Sequence, residues 1–288
     1  MDKKYELTNE AIKVNGHTLH RIKALRDFGN VKKGELGGFI ESERNLSQDG
    51  LCWVFDEAKV YAGAKVYGNA EVFDHARVID NAQIYSNGRV SGYAMVFDYT
   101  EVYDDATVFG YAEVFGNAEV YGNAKVHGNA KVHGNAEVYG SALVFDEAKV
   151  SGYAKVCGNA KVYGDAKVYG GAEVYGDAKV YGGAKVHGGA EVCGYAEIGT
   201  FARITSLNDY IVIGPIGSRN GYTTVYKCID DVVRIHCGSF NGTPDEFFAK
   251  VNETYKEGSI YHTQYTTIVK PIVDAMCQTS IQNITDKG

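Results

Sequence analysis

Residues 118–129 read Ala-Glu-Val-Tyr-Gly-Asn-Ala-Lys-Val-His-Gly-Asn, which is one six-residue unit written twice. A branched aliphatic residue, Val or Ile, recurs every six positions from Val54 to Ile204, which makes 26 consecutive hexapeptides. Four positions after each of these, the last excepted, the residue is small and almost always Ala, with Gly88 and Thr100 as the variants. A fixed short period is typical of repeat architectures, in which similar units stack on one another. The stretch 54–204 therefore predicts a solenoid.

Each unit combines a short strand with a corner. Side chains alternate across a strand, so Val is expected to point inward while the preceding Lys or Glu and the following aromatic residue point outward. Gly and Asn accept positive φ at low cost and Ala fits inside a tight bend, so the Gly-Asn-Ala part predicts the corner. Three strands and three corners give an 18-residue triangular coil. About eight coils, stacked ~4.8 Å apart, would make a prism ~40 Å long around a narrow core.

This pattern resembles the hexapeptide-repeat proteins, in which an aliphatic residue is followed four positions later by a small one. The resemblance covers all of 54–204 and implies an all-β solenoid, a left-handed parallel β-helix. A right-handed, bactofilin-like helix is the alternative, because parallel crossovers are normally right-handed. The preceding segment, with residues 24–34, Gly37-Gly38-Phe39-Ile40-Glu41 and Cys52-Trp53-Val54-Phe55-Asp56, is similar to the cap of uncharacterised hexapeptide-repeat proteins of bacteria, phages and prophages. Some of those are labelled transferases by fold analogy alone.

The two ends of the chain leave the period. Asn15-Gly16 lies between two short apolar-bearing runs and predicts a β-hairpin, so residues 1–53 are interpreted as an N-terminal hairpin cap over the open end of the solenoid. The β-helix itself is assigned to residues 54–205. Residues 206–288 are assigned to a small C-terminal α+β domain.

The C-terminal segment predicts three strands followed by two helices. Residues 210–213, 223–228 and 232–237 have the composition of short strands, the last two joined at Asp230-Asp231. Thr243-Pro244-Asp245-Glu246 combines an N-cap Thr, a first-turn Pro and a capping-box Glu, which predicts a helix start. Apolar residues at helical spacing over 261–276 predict a second helix, kinked or interrupted at Pro271.

The composition limits compartment and partners. Thirty-five Gly against three Pro, with 22 Tyr, fits a solenoid with tight corners. No apolar run approaches the ~20 residues of a membrane span, and no secretion signal is apparent. The six Cys have neither metal-ligand spacing nor a disulfide framework, so they are interpreted as reduced thiols of a cytoplasmic protein. The formal charge of −7 disfavours binding to duplex nucleic acid. No metal or cofactor is predicted.

The sequence favours a non-enzymatic scaffold or binding protein without catalytic residues. The best-known enzymes on the resembled fold are acyltransferases, and this resemblance would imply trimers with a catalytic His near a loop that interrupts the coils. Here no loop interrupts the repeats, and His127, His133 and His187 occupy the outward position otherwise filled by Tyr or Phe. No Ser/His/Asp set, carboxylate pair or phosphate loop stands out. The alternative is acyl transfer in a groove between subunits, with His133 or His187 as base.

Sorting the outward positions by the 18-residue period separates the charges. One face stacks basic residues from Lys131 to Arg203, and its neighbour stacks Glu beside Tyr. Like charges ~5 Å apart repel unless something screens them, and Tyr is enriched at interfaces. We expect a homo-oligomer, most simply a trimer, in which the basic face meets the acidic one; the alternative is that repeat duplication copied Lys and Glu into solvated positions. The predicted interface residues are Lys131, Lys149, Lys167, Lys185, Glu119, Glu137, Tyr121 and Tyr139.

A Gly-rich segment at 214–224 predicts a site for a small anionic or nucleotide ligand. Arg219 and backbone N–H groups would hold a phosphate or carboxylate, and Tyr222 would stack on a base. The helix start at Gly242-Thr243 is a second candidate, because free N–H groups point outward there. The hypothesis is a phage protein that sequesters a nucleotide signal or a host protein; the alternative is a domain that caps the helix or mediates assembly. The candidate ligand residues are Ser218, Arg219, Asn220, Tyr222, Thr223, Lys227, Arg234 and Thr243.

Overall fold

The computed structural model describes residues 3–229 and 232–285, with side chains as far as Gln278. The chain begins with an antiparallel hairpin of β1 (Tyr5–Val14) and β2 (His17–Ala24). Its turn is Asn15-Gly16, and both residues have positive φ, as the sequence predicts. Strand β3 (Leu36–Ile40) then pairs antiparallel with β2.

Residues 53–204 form a parallel β-solenoid of 26 two-residue strands, one every six residues, from β4 (Trp53–Val54) to β29 (Arg203–Ile204). Each of these strands pairs in parallel with the one 18 residues further on, so that Val120, for example, lies beside Val138. The strands form three sheets, in each of which successive strands start 18 residues apart. They are called here face 1 (Trp53–Val54 to Glu197–Ile198), face 2 (Lys59–Val60 to Arg203–Ile204) and face 3 (Lys65–Val66 to Glu191–Val192). The predicted solenoid is confirmed, while its left-handed sense stays a prediction.

The core of the prism is built from the aliphatic and Ala columns, which are buried from end to end. The corners differ in one respect from the expectation. The positive φ falls on the Gly of each Gly-Asn pair and not on the Asn, as in Gly122, which precedes Asn123 and has φ 67°. Where another residue replaces that Gly, Asp often takes the same conformation: Asp146 has φ 58°, and its carboxylate accepts a hydrogen bond from Gly164 N–H at 3.2 Å in the next coil. The Asp thus compensates for the strain of its backbone.

The cap continues the solenoid and also covers it. Phe39 and Ile40 of β3 pair in parallel with Lys59 and Val60, 20 residues further on instead of 18, so the first coil is slightly enlarged. Trp53 is buried here, with the ring of Tyr5 6.0 Å away and that of Phe28 5.3 Å away, both edge-on. These rings close the end of the core that would otherwise be open to water.

A four-stranded antiparallel sheet follows the solenoid, after a 3₁₀ turn at Leu207–Asp209. Its strands are β30 (Tyr210–Ile216), β31 (Gly221–Lys227), β32 (Val233–Cys237) and β33 (Phe240–Gly242), in that order. The three predicted strands are therefore confirmed with different ends, and a fourth is added. The predicted connection at Asp230-Asp231 lies outside the described residues.

The helices cover one face of this sheet. Helix α1 (Pro244–Thr254) begins with the predicted capping box. Helix α2 (Ile260–Gln264) runs into a π-helical turn (Tyr265–Val269) and then into α3 (Lys270–Thr285). The interruption lies one turn before Pro271, because proline lacks the N–H for the preceding turn and its ring crowds the carbonyl there. Among the described residues, no helix is long and apolar enough to cross a membrane.

Candidate functional site

Face 2 carries a basic ladder, defined as Lys131, Lys149, Lys167, Lys185 and Arg203, whose members are direct neighbours in successive strands. Lys131 pairs with Glu113 of its own chain at 2.6 Å. Lys149, Lys167 and Lys185 form no ion pair with any residue in the described part of the chain. Lys149 and Lys167 are also exposed. Lys149, Lys167 and Lys185 thus form a row of cations without an acidic partner among the described residues.

Face 3 carries an acidic ladder, defined as Glu101, Glu119, Glu137, Glu173 and Glu191, beside a stack of Tyr rings. Lys155 interrupts this ladder between Glu137 and Glu173, and it pairs with Glu137 at 3.4 Å. The rings of Tyr103, Tyr121 and Tyr139 lie parallel with centroids 4.9 Å apart. Two of these phenols reach the carboxylate of the next coil: Tyr103 donates to Glu119 at 2.9 Å and Tyr121 to Glu137 at 3.1 Å. Burial and this carboxylate raise the pKa of Tyr121. The Tyr are therefore fixed phenols and not bare aromatic area, a feature that the sequence analysis missed.

The two ladders are complementary in charge and equal in spacing. Neighbouring rungs lie one coil, ~4.8 Å, apart in both, except that the coil of Lys155 contributes no Glu to the acidic ladder. Since they lie on different faces of the same prism, the two ladders of one chain cannot meet each other. Each ladder can meet its counterpart only on another copy of the chain.

The three His of the outward aromatic position, His127, His133 and His187, lie in ring stacks on the outside of the prism. His133 stacks on Phe115 and His187 on Tyr169, both at 4.8 Å between centroids. Burial, followed by the neighbouring cations, lowers the pKa of both His133 and His187. The lowered pKa favours the neutral form of each ring, which is chemically able to accept a proton.

A polar network joins the C-terminal domain to the last coils. The carboxylate of Glu197 lies 2.7 Å from Lys179 Nζ and 2.5 Å from His236 Nε2. Tyr181 Oη is 2.9 Å from His236 Nδ1. Hydrogen bonding from His236, and then from Lys179, lowers the pKa of Glu197 to about 2 although burial opposes the shift. This network was not predicted, because Glu197 occupies the same outward position as many other charged residues of the repeat.

The C-terminal domain contains a cavity of about 310 Å³ between the Gly-rich loop, the β32–β33 turn and helix α1. Its walls include the rings of Phe240, Phe247, Tyr255 and Tyr265. Ser218, Arg219 and Tyr222 also line it, so three of the eight predicted ligand residues border one cavity. Sequence analysis did not find the aromatic walls, because helical periodicity identifies α1 core residues without showing which of them border a space.

Two more of the predicted ligand residues lie close to this cavity. Thr223 is fully buried and its hydroxyl donates to Cys237 Sγ at 3.2 Å. Asn220 is exposed in the turn, with φ 51°. The ring of Tyr222 stacks on Tyr195 of the solenoid, with centroids 4.2 Å apart. Tyr222 therefore contributes to docking as well as to the border of the cavity.

The remaining three lie apart from it. Lys227 pairs with Asp209 at 3.4 Å. Arg234 alternates with Val233 and Ile235, which pack on the helices, so it points from the opposite face of the sheet. Thr243 N–H donates to the Glu246 carboxylate at 2.8 Å, so the helix start already holds an anionic group of its own chain.

No group of three or more His, Cys, Asp or Glu in the described segments is arranged to hold a metal ion. No family model matches the chain. Over 45 residues it is 40% identical to a protein of Escherichia coli (strain K12) named "Uncharacterized acetyltransferase YdcK". That similarity covers 16% of this chain and only 14% of the relative. Together with the parallel solenoid, it is consistent with the hexapeptide-repeat superfamily.

Proposed function

We propose that this protein is a non-enzymatic, homo-oligomeric scaffold and binding protein, most simply a trimer. The observation that carries the proposal is the pair of complementary ladders, which have the same period and lie on different faces. The basic ladder of one prism packs on the acidic, Tyr-bearing face of the next. Such a contact is heterologous, so it closes into a ring if its rotation permits and otherwise extends into a filament.

The energetics favour assembly through many rungs. An exposed Lys–Glu pair contributes only ~0–1 kcal/mol, so no single rung decides the contact. Up to four rungs in register act together, because Lys155 interrupts the run of Glu, and the partner's Glu also relieves the repulsion within the basic ladder. The Tyr stack adds amphipathic area that is ordered before the contact forms, which reduces the entropy lost on association.

Charge reversal tests this assembly. Lys149→Glu with Lys167→Glu, or Glu119→Lys with Glu137→Lys, is expected to give monomers at micromolar concentration in analytical ultracentrifugation. A chain with all four changes again carries opposite charges at these positions of the two faces and should assemble again.

The matched control is Lys125→Glu with Lys161→Glu, which makes the same change in net charge at exposed positions of face 1. The control should keep the mass of the unaltered protein. The proposal fails if the face 2 and face 3 variants also keep that mass.

The assembly would present several C-terminal domains at once in the cytoplasm. Several linked sites slow the release of a ligand or partner without any new contact. A phage or prophage origin is part of the proposal, supported by the resemblance of the cap, and the bound species would then be a nucleotide signal or a host protein. Mass spectrometry of small molecules and proteins released from the purified protein by denaturation tests this part.

Acyl transfer is the second candidate function, favoured by the similarity to a protein named an acetyltransferase and by the neutral His on face 2. His133 or His187 would accept the proton of an attacking amine or hydroxyl. Incubation with acetyl-coenzyme A and a panel of acceptors tests it. Turnover that is lost in His133→Ala or His187→Ala would replace the scaffold proposal, whereas absence of turnover leaves the scaffold standing.

A further inference from the structure

The aromatic walls of the cavity in the C-terminal domain are suited to a flat apolar group. The ring of Phe247 lies 5.3 Å from Phe240 and 5.5 Å from Tyr265, and Tyr255 lies 5.9 Å from Tyr265. Aromatic walls with a few polar groups are typical of small-molecule sites, because they bury a ring and leave orientation to the polar groups.

The charged groups at this cavity are cationic. Arg219 and Lys250 line it, and no Asp or Glu of the described chain does so. Lys250 is paired with Glu253 at 2.7 Å, in an exposed contact. Arg219 makes no ion pair with the described residues, although it lies beside the turn at Gly238. A guanidinium without an ion pair among the described residues, at the edge of aromatic walls, favours an anion, which it can bind through two parallel hydrogen bonds.

The loop that carries Arg219 is held in place from two sides. Gly217 N–H donates to Gln264 Oε1 at 3.0 Å, and Ser218 Oγ lies 2.9 Å from Tyr255 Oη. Gly217 has φ 76°, and a Cβ there would lie 2.1 Å from the hydroxyl of Tyr265. The π-helical turn starts at Tyr265, and such turns within α-helices are frequent at functional sites. The site is therefore preorganised.

We propose that this cavity binds a small planar organic anion, namely one aromatic ring system that carries a single phosphate or carboxylate. Its volume of about 310 Å³ lies at the lower end of the range for ligand sites, so a second ring system would not fit inside. The proposal rests on the binding function proposed above and specifies its ligand. A nucleoside monophosphate and an aromatic carboxylate share the required chemistry.

Calorimetric titration of the full chain distinguishes these sources. The probes are AMP, UMP and benzoate. Adenosine, which lacks the charge, and inorganic phosphate, which lacks the ring, serve as half-ligands. At least one of the first three should bind at least ~10-fold more tightly than either half-ligand. Arg219→Gln should weaken that binding by ~10-fold or more, and Ser239→Trp, which fills the mouth of the cavity, should abolish it. Arg44→Gln, an exposed Arg of the cap, is the matched control and should change nothing.

The proposal is overturned if none of the three ring-bearing anions binds more tightly than about 1 mM, or if Arg219→Gln binds as well as the unaltered protein. The mass of each protein in solution is measured on the same preparation. Ladder variants that behave as predicted while no anion binds would refute this site alone. An anion that binds as predicted to a monomer would refute the assembly alone.

Discussion

Removing the charge of Glu197 should loosen the C-terminal domain from the solenoid. The pKa of this carboxyl falls from 4.5 to about 2, because His236 and Lys179 stabilise its ionised form. This lowering of the pKa corresponds to about 3 kcal/mol at most. The side chains of Glu197 and Lys179 are 28% and 39% exposed, so solvent screening reduces the contribution to about 1–2 kcal/mol. Since the pKa is lowered on folding, this stabilisation is complete above pH ~4.5 and is lost as the pH falls towards 2.

Hydrogen–deuterium exchange of the β31 amides measures this loosening, since β31 contacts the last coils directly. Glu197→Gln should exchange ~5–30-fold faster than the unaltered protein at pH 7, and the difference should shrink as both are taken from pH 5 towards pH 3. Glu173→Gln is the matched control, because Glu173 forms no ion pair within the described residues. Equal exchange at pH 7, or a difference that does not depend on pH, would refute the reasoning.

Three further predictions concern the solenoid, each checked by the free energy of unfolding in urea. Gly140→Ala should destabilise the solenoid by about 2 kcal/mol, because the φ of Gly140 is 68° and a Cβ there would lie 3.0 Å from the backbone of the next coil. The control Gly189→Ala should be nearly neutral, because a Cβ at Gly189 would point into open space. Equal effects of the two substitutions would contradict this prediction. Thr100→Val should stabilise by about 1 kcal/mol, because the Thr100 hydroxyl is buried without a partner among the described residues; destabilisation would contradict it. Tyr121→Phe should cost about 0.5–1.5 kcal/mol through loss of the hydrogen bond to Glu137, and no loss would indicate that the phenol is solvated instead.

The solenoid could be predicted because its determinants are local and repeated. A Val that recurs every six residues decides which side chains point inward, and the 18-residue coil then fixes which strands pair, as for Val120 and Val138. The start of α1 was equally accessible, because Thr243 and Glu246 form a capping box within four residues. Both predictions needed no knowledge of distant parts of the chain.

The candidate sites were harder to predict, because they depend on how separate segments dock. Glu197 and His236 meet only after the sheet has packed on the last coils, and neither differs in local sequence from residues without a partner. The cavity is bordered by Arg219 from a loop and by Tyr265 from a π-helical turn, 46 residues apart. Composition suggested an anion site in the Gly-rich loop, whereas only the tertiary structure shows that Lys227 is already paired.

The central claim, assembly through the two ladders, is tested most directly by the mass of the unaltered protein in solution at two salt concentrations. One chain has a mass of 31.3 kDa. At micromolar concentration and ~20 mM salt, light scattering should give a multiple of this mass, about 94 kDa for a trimer. At ~1 M salt the screening length falls to ~3 Å, and the mass should decrease towards that of one chain. A mass of 31.3 kDa at low salt would contradict the account.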